Sequence, residues 1–121
     1  MRIGANIAER LMEMGVATLR IAARIPRSPA TRHISLQPVR AATSAGANYE
    51  EARAAESRAD FAHKVGIAAK EMRETCYWIE LVYRTGWLTT DLRPLVHEAN
   101  ELAAILGASA RTARLPAEPK P

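Results

Sequence analysis

One stretch decides the fold: SRADFAHKVGIAAKEMRETCYWIELVYRTG, residues 57–86. Phe61, Val65, Ala68, Met72, Thr75, Ile79 and Val82 recur at alternating spacings of four and three, which is the two-position heptad seam of a helix packed in a bundle. Ser57 followed by Asp60 is a variant of the capping box with a shorter acid at its third position, so a helix is predicted to start there. Gly86 supplies the expected stop. Trp78 and Leu81 lie beside the seam and widen the apolar face. Asp60 with Lys64, Lys70 with Glu74 and Glu80 with Arg84 form i,i+4 pairs for the solvent side.

Upstream, Ile7, Leu11, Met14, Thr18, Ile21 and Ile25 fall on one stripe and predict a long helix over residues 5–25. Pro26, Ser28 and Pro29 end it, because proline lacks the amide donor and disfavours helical geometry in the residue before it. Residues 26–34 therefore read as a loop. The segment from Gln37 to Ala55 contains the run Ala41-Ala-Thr-Ser-Ala-Gly-Ala47, whose small side chains let neighbouring helices approach closely. Pro38 fits if it occupies the first turn, where its missing amide would be unpaired anyway, and kinks the helix if the helix starts earlier. Downstream, Thr89 or Thr90 is a candidate cap for a last helix with Asp91 and Pro94 in its first turn. Its inner face is Leu92, Leu95, Ala99, Leu102 and Leu106, and it runs to about Thr112.

A chain of 121 residues, 48% of them hydrophobic, is sized for one domain with one core, and its dominant Ala, Leu, Arg and Glu favour helix over sheet. Four helices on short connections bury their stripes most economically up-down-up-down, giving an all-α antiparallel bundle over residues 1–115. Three longer elements are an alternative, since no glycine or proline separates the second and third helices through Ala54–Glu56. The proline-rich end, residues 116–121, reads as a disordered tail.

The single cysteine, Cys76, cannot form an internal disulfide, which fits a reducing compartment and a cytoplasmic protein. Glu9 and Glu13 interrupt any signal-peptide core, and no run approaches a membrane span, so no membrane partner is expected. Net charge is +4, but unevenly placed: +5 over residues 1–46, −3 over 47–110 and +2 over 111–121. A basic end and an acidic middle fit nucleic-acid binding and packing of subunits equally well.

Motifs for catalysis are sparse. Asp60 and His63 alone approach the Glu-x-x-His spacing of a di-metal bundle, and without a second pair they read as surface polar groups. Cys76 has no neighbouring histidine or cation cluster to stabilise a thiolate and reads as a small buried hydrophobe. With no glycine-rich phosphate loop or nucleophile elbow, neither an enzyme activity, a cofactor, a metal nor a small-molecule substrate is expected. Tyr77 and Trp78 occupy adjacent helix faces and cannot both point to one core, so one of them belongs at an interface.

Arg40-AATSAGANYEE-Ala52, Ser57-RADFAH-Lys64 and Ile67-AAKEMRETCY-Trp78 together resemble the four-helix-bundle family named for 23S ribosomal RNA intervening sequences. Ile7-Ala-Glu-Arg10, the Ile25-Pro26 helix end and Glu98-Ala-Asn-Glu-Leu102 extend the likeness over nearly the whole domain, while Pro38 stands where that family usually has an aliphatic residue. The resemblance implies a left-handed antiparallel four-helix bundle, assembly as a homopentamer and no known enzymatic activity. Some members of that family are encoded within inserts in 23S rRNA genes. Two expectations from different classes follow. One is RNA association through basic groups, with Arg20, Arg24, Arg32, Arg40, Arg53 and Arg58 as contacts. The other is a structural oligomer that scaffolds a protein partner, with Tyr49, Trp78, Leu81 and Trp87 at the subunit interface.

Overall fold

Ser57 Oγ accepts a hydrogen bond from the Asp60 amide at 3.0 Å, and Gly86 takes the left-handed conformation at φ 71° that only a residue without Cβ adopts freely. Between them runs α4 (Arg58–Thr85), the longest element of the computed structural model, which describes residues 4–116. Every residue of the heptad seam is buried except Phe61, which is partly covered. The capping box is only half made: the Asp60 carboxylate, one methylene shorter than glutamate, makes no return bond to the Ser57 amide among the described residues.

The other long helices are α1 (Ala5–Arg24), α3 (Gln37–Arg53) and α5 (Arg93–Arg114), and a short α2 (Pro29–Ser35) lies between α1 and α3. No strand occurs among the described residues. Pro38 sits in the first turn of α3, the position that tolerates it. The reading of residues 26–34 as a loop is corrected by α2. Ser28 Oγ accepts from the Thr31 amide (3.2 Å) while Thr31 Oγ1 accepts from the Ser28 amide (2.7 Å), a reciprocal box that makes Pro29 a helix initiator instead of a breaker. Neither Thr89 nor Thr90 caps α5. Leu92 is the N-cap and offers no side-chain acceptor, while Asp91, just ahead of the helix, accepts from the Arg93 amide at 3.0 Å. Residues 54–57 leave helical geometry, with Ser57 extended at φ −141°, so α3 and α4 are separate elements and the three-element alternative falls. The proline-rich tail past Pro116 lies outside the described residues.

Packing follows chain order: α1 lies against α3, α3 against α4, and α4 against α5. Gly4, Leu11 and Gly15 of α1 and its cap meet Tyr49, Gly46 and Thr43 of α3, so the numbering rises on one helix as it falls on the other. Glu51 near the end of α3 meets Lys64 near the start of α4, and Arg58 at the start of α4 meets Thr112 and Ala113 at the end of α5. Neighbouring helices therefore run in opposite directions. The core is assembled from Leu11, Met14, Met72, Ile79, Leu102 and Leu106, with Ala42, Ala45, Ala68 and Ala99 admitting close helix approach. Thr18 and Thr75 are buried on the same seams without penalty, because each hydroxyl donates to a carbonyl of its own helix, Gly15 and Glu71 respectively.

The ring of four long helices closes loosely. Helices α1 and α5 approach at few points, and the closure there is ionic. Arg10 donates Nε to Glu98 Oε2 (2.8 Å) and Nη2 to Glu98 Oε1 (2.7 Å), and Nη2 also reaches Glu101 Oε1 at 2.6 Å. Of the three i,i+4 pairs read on α4, Glu80–Arg84 forms at 3.1 Å. The other two are corrected: Lys64 crosses to Glu51 of α3 (2.9 Å), and Glu74 accepts from Trp78 Nε1 (3.2 Å) instead of meeting Lys70.

Candidate functional site

Two heptad stripes of polar and small residues face each other across the outside of the α4–α5 contact. On α4 the stripe is His63, Gly66, Lys70 and Arg73; on α5 it is Asn100, Ala104, Gly107, Arg111 and Arg114. Both repeat at spacings of three and four, so each runs straight along its helix. They line a groove of about 740 Å³. At its far end Arg58 and Ala113 extend the same surface.

The floor is built from residues with little or no side chain. A Cβ on Gly66 would lie 2.6 Å from an Arg114 guanidinium nitrogen, so glycine there is what lets Arg114 lie across α4. Arg111 folds over Gly107 in the same manner, at a looser 3.4 Å. In both cases it is the guanidinium end that lies over the glycine, so the positive charge sits along the groove floor.

The electrostatics are one-signed. Lys70, Arg73, Arg111 and Arg114 line the groove, and no aspartate or glutamate does. Within the described residues none of these four makes an ion pair, whereas Arg10, Arg53, Lys64, Arg84 and Arg93 each hold a carboxylate. Arg111 and Arg114 stand in the last turn of α5, where a cation offsets the helix dipole. Lys70 and Arg73 stand mid-helix and have no such reason to be there. Arg58 donates to the Thr112 and Ala113 carbonyls at 3.0 and 2.8 Å, tying the open end of α5 to the start of α4.

Cys76 lines the groove floor, half-buried, and its thiol is pushed up by burial, only partly offset by its own backbone amide and the nearby Arg73. It is not poised as a thiolate nucleophile. No three His, Cys, Asp or Glu among the described residues are placed to hold a metal. No described helix is long and apolar enough to cross a membrane.

The arginines singled out from the sequence are not gathered. Arg20 and Arg24 lie on α1, Arg32 on α2, Arg40 and Arg53 on α3, and only Arg58 adjoins the groove. Arg53 is held by Glu50 at 2.8 Å, and Arg24 leans on Thr90 Oγ1 at 3.3 Å. The cations that do converge, Lys70, Arg73, Arg111 and Arg114, belong to a stretch of net negative charge and to the last residues of the final helix, so segment charge does not single them out. Their signal is present as a second heptad stripe on α4, offset from the apolar one.

Among the interface candidates, Tyr49 has its ring buried within the chain beside Gly4, where an added Cβ would lie 2.5 Å from Tyr49 Oη, and desolvation raises its phenol. Trp78, Leu81 and Trp87 are partly covered, Trp87 against the core. Of the aromatic pair it is Tyr77 that faces solvent, 59% exposed.

These features define a class: an all-helical bundle of four long helices carrying a carboxylate-free cationic groove between its last two helices. The chain belongs to the 23S rRNA-intervening sequence protein family, whose model matches residues 4–108. It is also similar to the crystal structure of a protein with unknown function from the S23 ribosomal protein family of Bacteroides thetaiotaomicron. The two share 32% identity and superpose with a TM-score of 0.76, covering 87% of this chain and 98% of that one. No match was found among curated proteins.

Proposed function

We propose that this chain is a non-enzymatic RNA-binding bundle that holds the phosphate backbone in the α4–α5 groove. The observation that carries the reading is the convergence of Lys70, Arg73, Arg111 and Arg114 on one groove without an opposing carboxylate. Such a surface attracts polyanions, and its glycines let the Arg111 and Arg114 guanidinium groups lie along the floor where a phosphate would meet them. It offers hydrogen-bond donors to phosphate but little to read base identity, so binding is largely sequence-independent. Neutralising about four phosphates gives a plot of log affinity against log salt with a slope of roughly −3. The raised Cys76 thiol is in keeping with a role that needs no nucleophile, and a single unpaired cysteine is in keeping with a reducing compartment. Gel retardation with structured RNA tests the reading. Retardation is expected at about 50 mM salt and should fade towards about 200 mM; none at the lower salt overturns it.

A second reading, assembly of copies of this chain as a scaffold, is favoured by one feature. Met12, Val16 and Leu19 form an exposed apolar stripe on α1, away from the core face, with Met12 62% and Leu19 54% exposed. Family resemblance carries the expectation of five copies. Light scattering after gel filtration tests it, since a monomer mass independent of concentration excludes assembly.

A further inference from the structure

The α4 stripe does not stop at Arg73. Its next position, four residues on, is Tyr77, which the helix places one turn beyond Arg73 on the same face. Tyr77 is an exposed large aromatic, and it lines a second hollow with Glu80, Leu81, Arg84 and Thr85. Its ring is held in place. Trp78 meets it edge to face, with centroids 5.0 Å apart and planes at 80°, and Trp78 is itself fixed by its bond to Glu74. An edge-to-face neighbour occupies at most one face of a ring, so the other stays open. Of the two nearby carboxylates, Glu80 is paired with the Arg84 cation, while Glu74 accepts from the neutral Trp78 indole and keeps its charge.

We infer that Tyr77 is a stacking platform for an unpaired base at the head of the cationic groove, so that the preferred ligand is single-stranded RNA. This rests on the RNA-binding reading of the groove. A phosphate gripped by Lys70 and Arg73 leaves its adjoining base within reach of a ring one helical turn away. A base can use that ring only if it is free of its own stack and pairing partner. A duplex presents phosphates to the groove but no open base face to Tyr77.

The test uses the full chain and three fluorescent probes at about 50 mM salt: a short oligouridine, an RNA duplex of equal length, and inorganic polyphosphate, an anion without bases. Tyr77→Ala and Tyr77→Leu are each expected to weaken oligouridine binding about tenfold. Tyr77→Phe, which keeps the aromatic face, should bind as the parent does. Duplex and polyphosphate binding should not change in any of the three. Tyr77→Leu keeps apolar bulk and circular dichroism checks folding, so a loss in that variant reports the ring itself. Oligouridine binding that survives Tyr77→Leu but falls with Lys70→Ala and Arg73→Ala overturns the platform and leaves the groove reading intact. An equal loss for polyphosphate also overturns it. If the parent binds none of the probes, both readings fail.

Discussion

Helix α5 has two lateral seams, and the contrast between them separates charge that holds the fold from charge that is free to act. Towards α1, Arg10 is clamped by Glu98 and Glu101, and the cation is consumed within the molecule. Towards α4, Lys70, Arg73, Arg111 and Arg114 line a groove with no carboxylate. Apolar packing explains the difference. Helices α4 and α5 press together along a continuous core, so their outer edge needs no ionic tie, whereas α1 and α5 approach at few points and the Arg10 fork bridges them. A seam secured by apolar packing can carry uncompensated charge on its rim.

The largest effect is expected from a change that breaks both seams at once. Leu102 is fully buried in α5, midway along the core shared by the helices. Leu102→Ala should lower unfolding free energy by roughly 2–5 kcal/mol, read by urea denaturation, while leaving the groove's charge in place. The next sharpens the contrast by removing that charge. Substituting Lys70, Arg73, Arg111 and Arg114 together by Gln should weaken RNA binding at least about a hundredfold and flatten its salt slope. Stability should shift by no more than about 2 kcal/mol, since none of the four makes an ion pair and only Arg111 and Arg114 offset the dipole of α5. A large loss of stability with unchanged binding would show that the groove, like the α1 seam, is structural.

The bundle was legible because its signals are local and repeated. The heptad seam of α4, the Ser57 cap and the Gly86 stop each depend on residues a few positions apart, and each appears in the structure as read. Proline misled at Pro29, where the Ser28–Thr31 box turned a breaker into a start. The groove was less legible. Its α4 half could have been read as the stripe His63, Gly66, Lys70, Arg73. That this stripe faces Arg111 and Arg114, some 40 residues away, depends on helix packing that no local pattern encodes. Net charge by segment pointed the other way, although none of the acidic residues that make the middle of the chain negative lines the groove.

A smaller effect isolates the α1 seam. Arg10→Gln removes a fork whose partners are about a quarter and a third exposed, with side-chain exposures of 24% for Arg10 and 35% for Glu98. Solvent screening limits such a pair, though bidentate geometry keeps it above an ordinary surface bridge. The expected loss is about 1 kcal/mol in unfolding free energy, with RNA binding unchanged.

The smallest and most discriminating effect is the pH dependence of that loss. Arg10's hydrogen bonds hold the Glu98 carboxyl below its ordinary value, outweighing the opposing desolvation. A carboxylate with a depressed folded pKa contributes stability that is fully present above its unfolded pKa, about 4.3, and that is lost as pH falls through the folded value. The difference in stability between the parent and Arg10→Gln should therefore be constant from neutral pH down to about 5 and shrink below it. Asp91 is also held low, by Arg93, but that pair is exposed and only two residues apart in sequence, so it can form in the unfolded chain and should contribute little to the trend. The four groove cations hold no carboxylate, so the variant's difference from the parent should not shrink towards zero in that window. Urea midpoints for the three proteins between about pH 3 and pH 7 make the comparison. Convergence of the groove variant with its parent in acid would mean that its cations hold carboxylates after all, and the two seams would then differ in degree and not in kind.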